Sequence, residues 1–264
     1  MTSTVNISIV IVAANHRRYI EQCLKSLLRI KDKLQLEILL VDNASTDGCA
    51  KFVRQHYPPV HLFIQKQKRG FSTNSNIGIR QSKGRYILLL NPDTEITTNA
   101  LTTLMIFMNS HPRVGICGPQ LLFPDGTLQF SCRAFPTWQS VLVRRTPLRY
   151  FLQNSSINKH HLLADIDHNK IQEVDWLLGG CMMIRRKTLD NIGLLDENYY
   201  LYCEDIDICL RAKRKGWKVY YVPTARAIHH HLAVSDKKFF SMHSYHHTKS
   251  MLHYFFKYRL WMAR

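Results

Sequence analysis

The sequence predicts an α/β fold, a mostly parallel central sheet flanked by helices, with a C-terminal helical extension. Three observations predict it. Apolar runs of strand length alternate four times with helical patterns before residue 115. Polar and acidic residues stand at the ends of those runs, where open parallel sheets bind ligands. After residue 236, aromatic, apolar and basic residues mix at helical spacing. The boundaries that follow are one domain over 1–235 and an extension over 236–264.

The elements are justified in order. "NISIVIVAAN" (6–15) is β-branched and apolar, a buried strand. "HRRYIEQCLKSLLRI" sets Ile20, Leu24, Leu27 and Leu28 on one helical face. "LEILLVDNASTDG" is a second buried strand ending in turn residues, and "CAKFVRQHY" a short helix. "VHLFIQ" is a third strand. "TNSNIGIRQSK" reads as a helix stopped by Gly84, and "RYILLL" as a fourth strand. "NALTTLMIFMNSH" is a helix ended by Pro112. "VGICGPQLLFPDGTLQFSC" reads as strands around a "PDGT" turn. Residues 133–172 read as irregular, basic and aromatic. "VDWLLGGCMMIRR" restores a strand pattern, and "CEDIDICLRAKRKGW" is a helix closed by Gly216. "KVYYVPTARAIHHH" reads as a final strand pair.

Composition narrows the class. The 264 residues are 45% hydrophobic and 21% charged, as in ordinary folded proteins. No apolar run reaches the roughly 20 residues of a membrane-spanning helix. The N-terminus lacks a basic lead and a cleavage site, so a cytoplasmic protein is expected. Seven scattered cysteines without a C-x-x-C pair argue against a disulfide framework and a thiolate zinc site. The net charge of +17 points to polyanionic partners such as nucleic acid, anionic headgroups or phosphorylated substrates. It is uneven: 133–149 holds four arginines and no acid.

The strand ends supply the chemistry: Asn15; then Asp42, Asn43, Ser45, Thr46 and Asp47; then Asn91 and Asp93. After the first strand stands "AANHRR", neither a dinucleotide G-x-G-x-x-G nor a Walker loop. In "RYILLLNPDTEI" a buried strand runs into a carboxylate, which can hold a hard divalent cation and through it phosphate. Glu204, Asp205 and Asp207 form a second acidic cluster, able to take a proton across the cleft.

Six segments occur in order: "VDNASTDG", "GFSTNSNIGI", "LLLNPDT", "WLLGGCMMIRR", "DENYYLYCEDIDICLRAKRKGW" and "ARAIHHH". Together they resemble a family 2 glycosyltransferase of the GT-A fold, with its Rossmann-like sheet. More closely, they resemble the rhamnosyltransferase-like branch of bacterial cell-surface glycan synthesis, including lipopolysaccharide. The likeness spans 7 to about 235.

That resemblance implies a site. Asp42 would read the donor's nucleotide base, with Asn15, Asn43 and Ser45 shaping the pocket. An Asx turn capping the next helix explains the same residues. Gly70 and Asn76 would lie along the nucleotide, unless the segment is simply a capped helix start. "NPD" resembles the family's D-x-D motif with Asn91 for its first acid. Asp93 would then coordinate Mg2+ or Mn2+ bridging the donor diphosphate, and the neutral Asn91 makes that binding donor-assisted. Gly179 and Gly180 would set bare backbone against the sugars. Trp176 would stack on a sugar or pack in the core, and Asp175 is a weaker acceptor-site candidate. Asp205 would be the catalytic base, with Glu204 orienting acceptor or base; the same pair also suits a helix dipole. Of His229, His230 and His231, the first is favoured to complete the metal site.

The resemblance also implies substrates. The donor would be a nucleotide-diphosphate sugar, dTDP-rhamnose favoured, and the acceptor a lipid-linked saccharide, with inversion at the anomeric carbon. The basic tail, its Met251, Phe255, Tyr258 and Met262 on one helical face, would lie on an anionic membrane surface at the inner face of the cell membrane. A helix packed on the domain, or a dimer contact, suits the same residues. The rivals are a nucleic-acid-binding protein, which has no recognisable motif here, and a sugar nucleotidyltransferase, which would want a glycine-rich triphosphate loop.

Overall fold

A computed structural model describes residues 5–30, 34–145, 149–152, 154–230 and 241–259. The first half runs β1 (Ile7–Ala13), α1 (Arg17–Leu28), β2 (Leu36–Asp42), α2 (Cys49–His56), β3 (His61–Ile64), α3 (Phe71–Gln81) and β4 (Tyr86–Leu90). Next come β5 (Thr94–Ile96), α4 (Ala100–Ser110), β6 (Val114–Leu122), β7 (Leu128–Gln129) and β8 (Cys132–Arg133). Then follow α5 (Trp138–Arg145), α6 (Arg149–Leu152), α7 (Ser156–Leu162), β9 (Gln172–Glu173), β10 (Trp176–Leu177) and β11 (Cys181–Arg185). The last elements are α8 (Arg186–Ile192), α9 (Glu204–Arg214), β12 (Lys218–His229) and α10 (Met242–Tyr258).

The main sheet has the order β3-β2-β1-β4-β11-β6-β12-β5, with β7 on β6 and β9 on β12. The ladders β2/β3, β1/β2, β1/β4 and β6/β12 are parallel. β11 runs against both its neighbours. Its direction positions the site, because its first residue, Cys181, pairs with Leu90 at the carboxyl end of β4. The glycines before Cys181 therefore arrive beside Asn91, at the ligand-binding edge.

Both sheet faces are covered. In β1, Ile7, Ile9 and Ile11 join a cluster with Ile20, Leu24 and Leu27 of α1. Val10 points the other way, with Ile79 of α3. β4 divides likewise, Leu88 and Leu90 to the first cluster, Ile87 and Leu89 to the second. A strand buried on both faces needs apolar residues at every position, which is why these segments run unbroken rather than alternating. Each such side chain contributes about 1.5–3 kcal/mol. All seven cysteines are buried, and none forms a disulfide.

Three expectations are corrected. Residues 133–172 are not irregular: they carry α5, α6 and α7. The final strand pair is one strand, β12, with irregular register between Val222 and Arg226. Pro223 lies in that interval, where the ladder asks for no N–H. The third concerns the tail. Met251 and Phe255 are not an outward face; they pack with Tyr254, Tyr199 and Ile206 in the core. Met262 and the other residues of 231–240 and 260–264, His231 among them, lie outside the described residues.

α10 is fastened to α9. Asp207, fully buried, accepts from Lys257 Nζ at 2.6 Å, Tyr258 OH at 2.7 Å and Arg211 Nε at 2.7 Å. Ser250 Oγ donates to the carbonyl of Leu201 at 2.8 Å. Just beyond Leu201, Tyr202 and Cys203 both take a φ of 68°, an unfavourable region for side-chain-bearing residues.

Candidate active site

The edge at the carboxyl ends of β1, β2 and β4 has two parts. The first lies beyond β1 and β2. Asp42 is 1% exposed; its Oδ2 accepts from Ser45 N, while its Oδ1 is buried without a hydrogen-bond partner. The turn therefore uses one carboxylate oxygen and leaves the other unpaired. Asn15 holds a φ of 58° and accepts from Thr46 N through Oδ1. Its own N–H donates to Ser45 Oγ, so the two loops are pinned together. Asn43 forms a two-way pair with the backbone of Arg69.

The second part is built on the turn after β4. Asp93 Oδ1 stands 3.4 Å from His229 Nε2. Asn91 Nδ2 lies 3.4 Å from the same ring nitrogen. His229 Nδ1 meets Gln129 Oε1 at 2.8 Å, a contact that fixes the orientation of the ring and turns Nε2 toward Asp93. Burial opposes ionisation of Asp93, but the hydrogen bond and charge of His229, with His16, hold its carboxyl below the usual range. His230 instead turns to Glu95, at 2.7 Å.

Gly179 and Gly180 join this part to the second acidic cluster. Gly180 O accepts from Asn91 N and from Thr94 Oγ1. A Cβ on Gly180 would come within 3.2 Å of His229 Cε1, so a side chain here would press on that ring. Gly179 N donates to Asp205 Oδ2 at 3.1 Å. Asp205 opens onto a cavity of about 440 Å3 whose wall includes Gln129, Phe130, Arg133, Arg144, Trp176 and Tyr202. Asp93 and Asp205 thus flank one short stretch of backbone.

Glu204 and Asp205 open α9. Burial, then the neighbouring Asp205 charge, raises the Glu204 carboxyl well above the usual range. Burial also raises Asp205, opposed by the Gly179 and Ile206 N–H groups and by Arg133. A carboxylate raised in this way is a better proton acceptor near neutrality.

Some sequence expectations part from the geometry. Asn76 does not face a cleft: 1% exposed, it spends its amide on Leu195 N, Leu195 O and Glu197 Oε1. It ties α3 to the loop before α9. Gly70 does allow a close approach, but to the backbone of Tyr200. Asp175 is held by Phe135 N and Lys213 Nζ. Trp176 is buried and donates from Nε1 to Ala134 O, yet one edge lines the cavity. The sequence reading missed three residues: His16, whose titration feels Asp93 and Asp47, Gln129, which orients His229, and Arg133. His16 follows the first strand and was within reach of the strand-end rule; Gln129 and Arg133 come from the two-residue strands β7 and β8, which carried no motif.

Comparison with known proteins assigns the family. The profile of Glycosyl transferase family 2 matches residues 8–193. The chain belongs to glycosyl transferase family 2. It is a glycosyltransferase, and the nucleic-acid and nucleotidyltransferase readings find no support. This family 2 glycosyltransferase is 30% identical over 266 residues to rhamnosyltransferase WbbL of Escherichia coli, covering 96% of this chain and 93% of that one. It is 29% identical over 226 residues to an N-acetylglucosaminyl-diphospho-decaprenol L-rhamnosyltransferase of Mycobacterium tuberculosis, covering 80% and 72%. The fold is GT-A, α/β with a mixed sheet. A Pyrobaculum calidifontis mannosyltransferase in complex with GDP-Man and Mn2+ superposes with TM-score 0.58 at 18% identity, covering 86% of this chain and 57% of that one. S. aureus TarS with UDP-GlcNAc gives 0.56 at 17%, covering 85% and 58%.

Proposed function

We propose that this glycosyltransferase moves rhamnose from a nucleotide-diphosphate donor, dTDP-rhamnose favoured, to a hydroxyl of a lipid-linked saccharide, with inversion. The rhamnosyltransferase relatives support the sugar, and the diphospho-decaprenol named for one of them supports a lipid-linked acceptor. The geometry that carries the chemistry is the Gly179–Gly180 bridge between Asp205 and the Asp93–His229 pair. In one displacement, Asp205 takes the acceptor hydroxyl's proton as that oxygen bonds to the anomeric carbon. The anomeric C–O bond breaks, and its electron pair leaves with the nucleoside diphosphate. Glu204 sits beside the base and orients it. Asp42 Oδ1, buried and without a partner, suits an N–H of the donor base, within the pocket shaped by Asn15, Asn43 and Ser45.

Asp93 and His229 fit a divalent ion, Mg2+ or Mn2+. An oxygen and a ring nitrogen converge at 3.4 Å, and Gln129 holds the other side of the ring at 2.8 Å. Among the described residues no three His, Cys, Asp or Glu side chains form a complete cage, so the ion would be shared with the donor's phosphates. Bound there, it would offset the charge of the leaving diphosphate. The test is donor binding against turnover: Asp93→Ala removes metal-dependent donor stabilisation, while Asp205→Asn keeps donor affinity and loses transfer. Near-normal turnover by Asp205→Asn would refute the assigned base.

Peripheral attachment to an anionic membrane, at the cytoplasmic face, belongs to the same proposal. Among the described residues no helix is long and apolar enough to cross a bilayer. α10 turns Met251 and Phe255 inward, so the membrane-facing stripe is another one. Met242, Tyr245, Leu252 and Phe256 are 67%, 57%, 52% and 61% exposed at steps of three, seven and four. Lys249 stands exposed within that stripe and adds a basic group for lipid phosphate.

A further inference from the structure

The sheet edge opposite the candidate active site holds a second cavity, of about 440 Å3. Arg85 directly precedes β4, and Arg185 ends β11. Tyr86 pairs with Arg185 at this edge, as Leu90 pairs with Cys181 at the other. β4 has five residues, so roughly 16 Å of strand separates the cavity from Asn91. The strand between is buried throughout, so a ligand here is not the donor.

Four basic side chains line the cavity, Arg85, Arg185, Arg186 and Lys187, with one carboxylate, Asp190. Arg185 is buried, and its guanidinium donates only to neutral groups: the carbonyls of Val114, Met108 and His111, and Tyr86 OH. Arg186 likewise donates to Gly84 O and Ser82 Oγ. Arg85 and Lys187 are exposed, and among the described residues their side chains have no hydrogen-bond or ion-pair partner. Elsewhere the chain pairs its cations, Lys257 with Asp207, Lys213 with Asp175 and Lys218 with Glu173. Here two arginines are fixed by neutral acceptors, which hold the guanidiniums in place without cancelling their charge. An anion offsets the cost of keeping such a charge out of water. Pro112 and Trp217 complete the lining, and Trp217 Nε1 is tied to Asn191 Oδ1 at 3.2 Å. The site is therefore a concave cleft with fixed walls, the form of a small-ligand site.

We propose that this cavity binds an oligophosphate, a di- or triphosphate chain whose several negative charges answer the excess of cations over Asp190. Arg185 and Arg186 set the field, and Arg85 and Lys187 supply the free N–H donors. The planar fork of Arg85 matches two phosphate oxygens. The concave wall favours a soluble oligophosphate over a phosphate headgroup in the plane of a bilayer. No role given to Asp93 or Asp205 enters this inference.

Inorganic triphosphate, titrated calorimetrically into the full chain with EDTA present, tests it, and vesicles containing phosphatidylglycerol are sedimented in parallel. The wild type binds triphosphate, and the double variant Arg85→Ala, Lys187→Ala weakens binding roughly tenfold or more. Asp190→Asn removes the lone carboxylate and tightens binding. Asp93→Ala leaves it unchanged, and vesicle sedimentation is the same in the double variant as in the wild type. Arg85, Lys187 and Asp190 are exposed, so the urea midpoints of their variants match the wild type and exclude misfolding. Wild-type affinity in the double variant overturns the site. Loss of binding in Asp93→Ala also overturns it and returns the ligand to the donor pocket. Absence of triphosphate binding in the wild type, with sedimentation lost in the double variant, overturns the soluble ligand and assigns these cations to lipid phosphate.

Discussion

Asp205 receives the backbone N–H of Gly179 at 3.1 Å, and the next peptide unit abuts His229, 3.4 Å from Asp93. The proposed proton acceptor and the proposed metal-binding pair are therefore spaced by the backbone of Gly179 and Gly180. Preorganisation of this kind supplies much of the rate enhancement of displacement reactions.

The sharpest consequence concerns Gly180. Alanine would put a Cβ 3.2 Å from His229 Cε1 and 3.3 Å from Leu121 Cδ1. Overpacking of this kind costs about 1–3 kcal/mol. Gly180→Ala is expected to lower the urea midpoint and to weaken metal-stimulated donor binding as His229 is displaced. Gly179→Ala, whose nearest contact is 3.7 Å, should fold normally and fall in turnover alone. Denaturation curves and metal titrations separate the two.

Asp205→Asn is expected to lower kcat by about 10^2–10^4, the usual contribution of a positioned base. In the wild type kcat should rise with pH, because only the ionised carboxylate accepts a proton. Burial moves that rise above the ordinary carboxylate range, and the apparent value belongs to the Glu204–Asp205 pair. Arg133 favours the charged form, so Arg133→Ala should move the rise to still higher pH. A kcat profile unmoved by that change would refute the electrostatic coupling.

His161 governs part of the acid stability. Its pKa is lowered from 6.5 to about 3 by burial, then by Arg144 and Arg133. Below pH 6.5 the unfolded chain binds a proton that the folded chain refuses until about pH 3. Stability therefore falls as pH drops through that window, by at most about 1.4 kcal/mol per pH unit from this group. His161→Leu should flatten this acid limb in chemical unfolding at pH 4–6.

Removal of Lys257 leaves Asp207, fully buried, with fewer donors. Lys257→Met is expected to cost about 2–3 kcal/mol of stability by urea unfolding, less than the loss of every partner of a buried charge. Tyr258 and Arg211 remain to satisfy the carboxylate.

Leu252→Glu and Phe256→Glu alter only exposed positions, so folding should be unchanged. Both should abolish sedimentation with vesicles containing phosphatidylglycerol, whereas Met251→Glu should unfold the helix instead. Retention on vesicles by the double variant would exclude this stripe as the lipid contact.

The parallel half of the fold was legible because strands buried on both faces leave unbroken apolar runs, as in Ile87 to Leu90. Asp93 and Asp205 could be nominated from motif spacing, which needs no knowledge of packing, and the structure brings them to either side of Gly179 and Gly180. What was hidden depended on tertiary partners. Asn76 looks like a ligand residue, but Leu195 and Glu197, far along the chain, take its amide. The inward face of α10 was visible as a stripe, but periodicity says nothing of which stripe meets the protein, and α10 has two. Helices α5 to α7 escaped because basic and aromatic residues interrupt their apolar pattern.

The strained turn at Tyr202 and Cys203 has a bearing on how the enzyme comes into being. It lies just before the residue proposed as base, and Ser250 braces it from an element made some forty residues later. On the ribosome, the residues proposed to face the donor base therefore emerge well before the brace on the proposed proton acceptor is made.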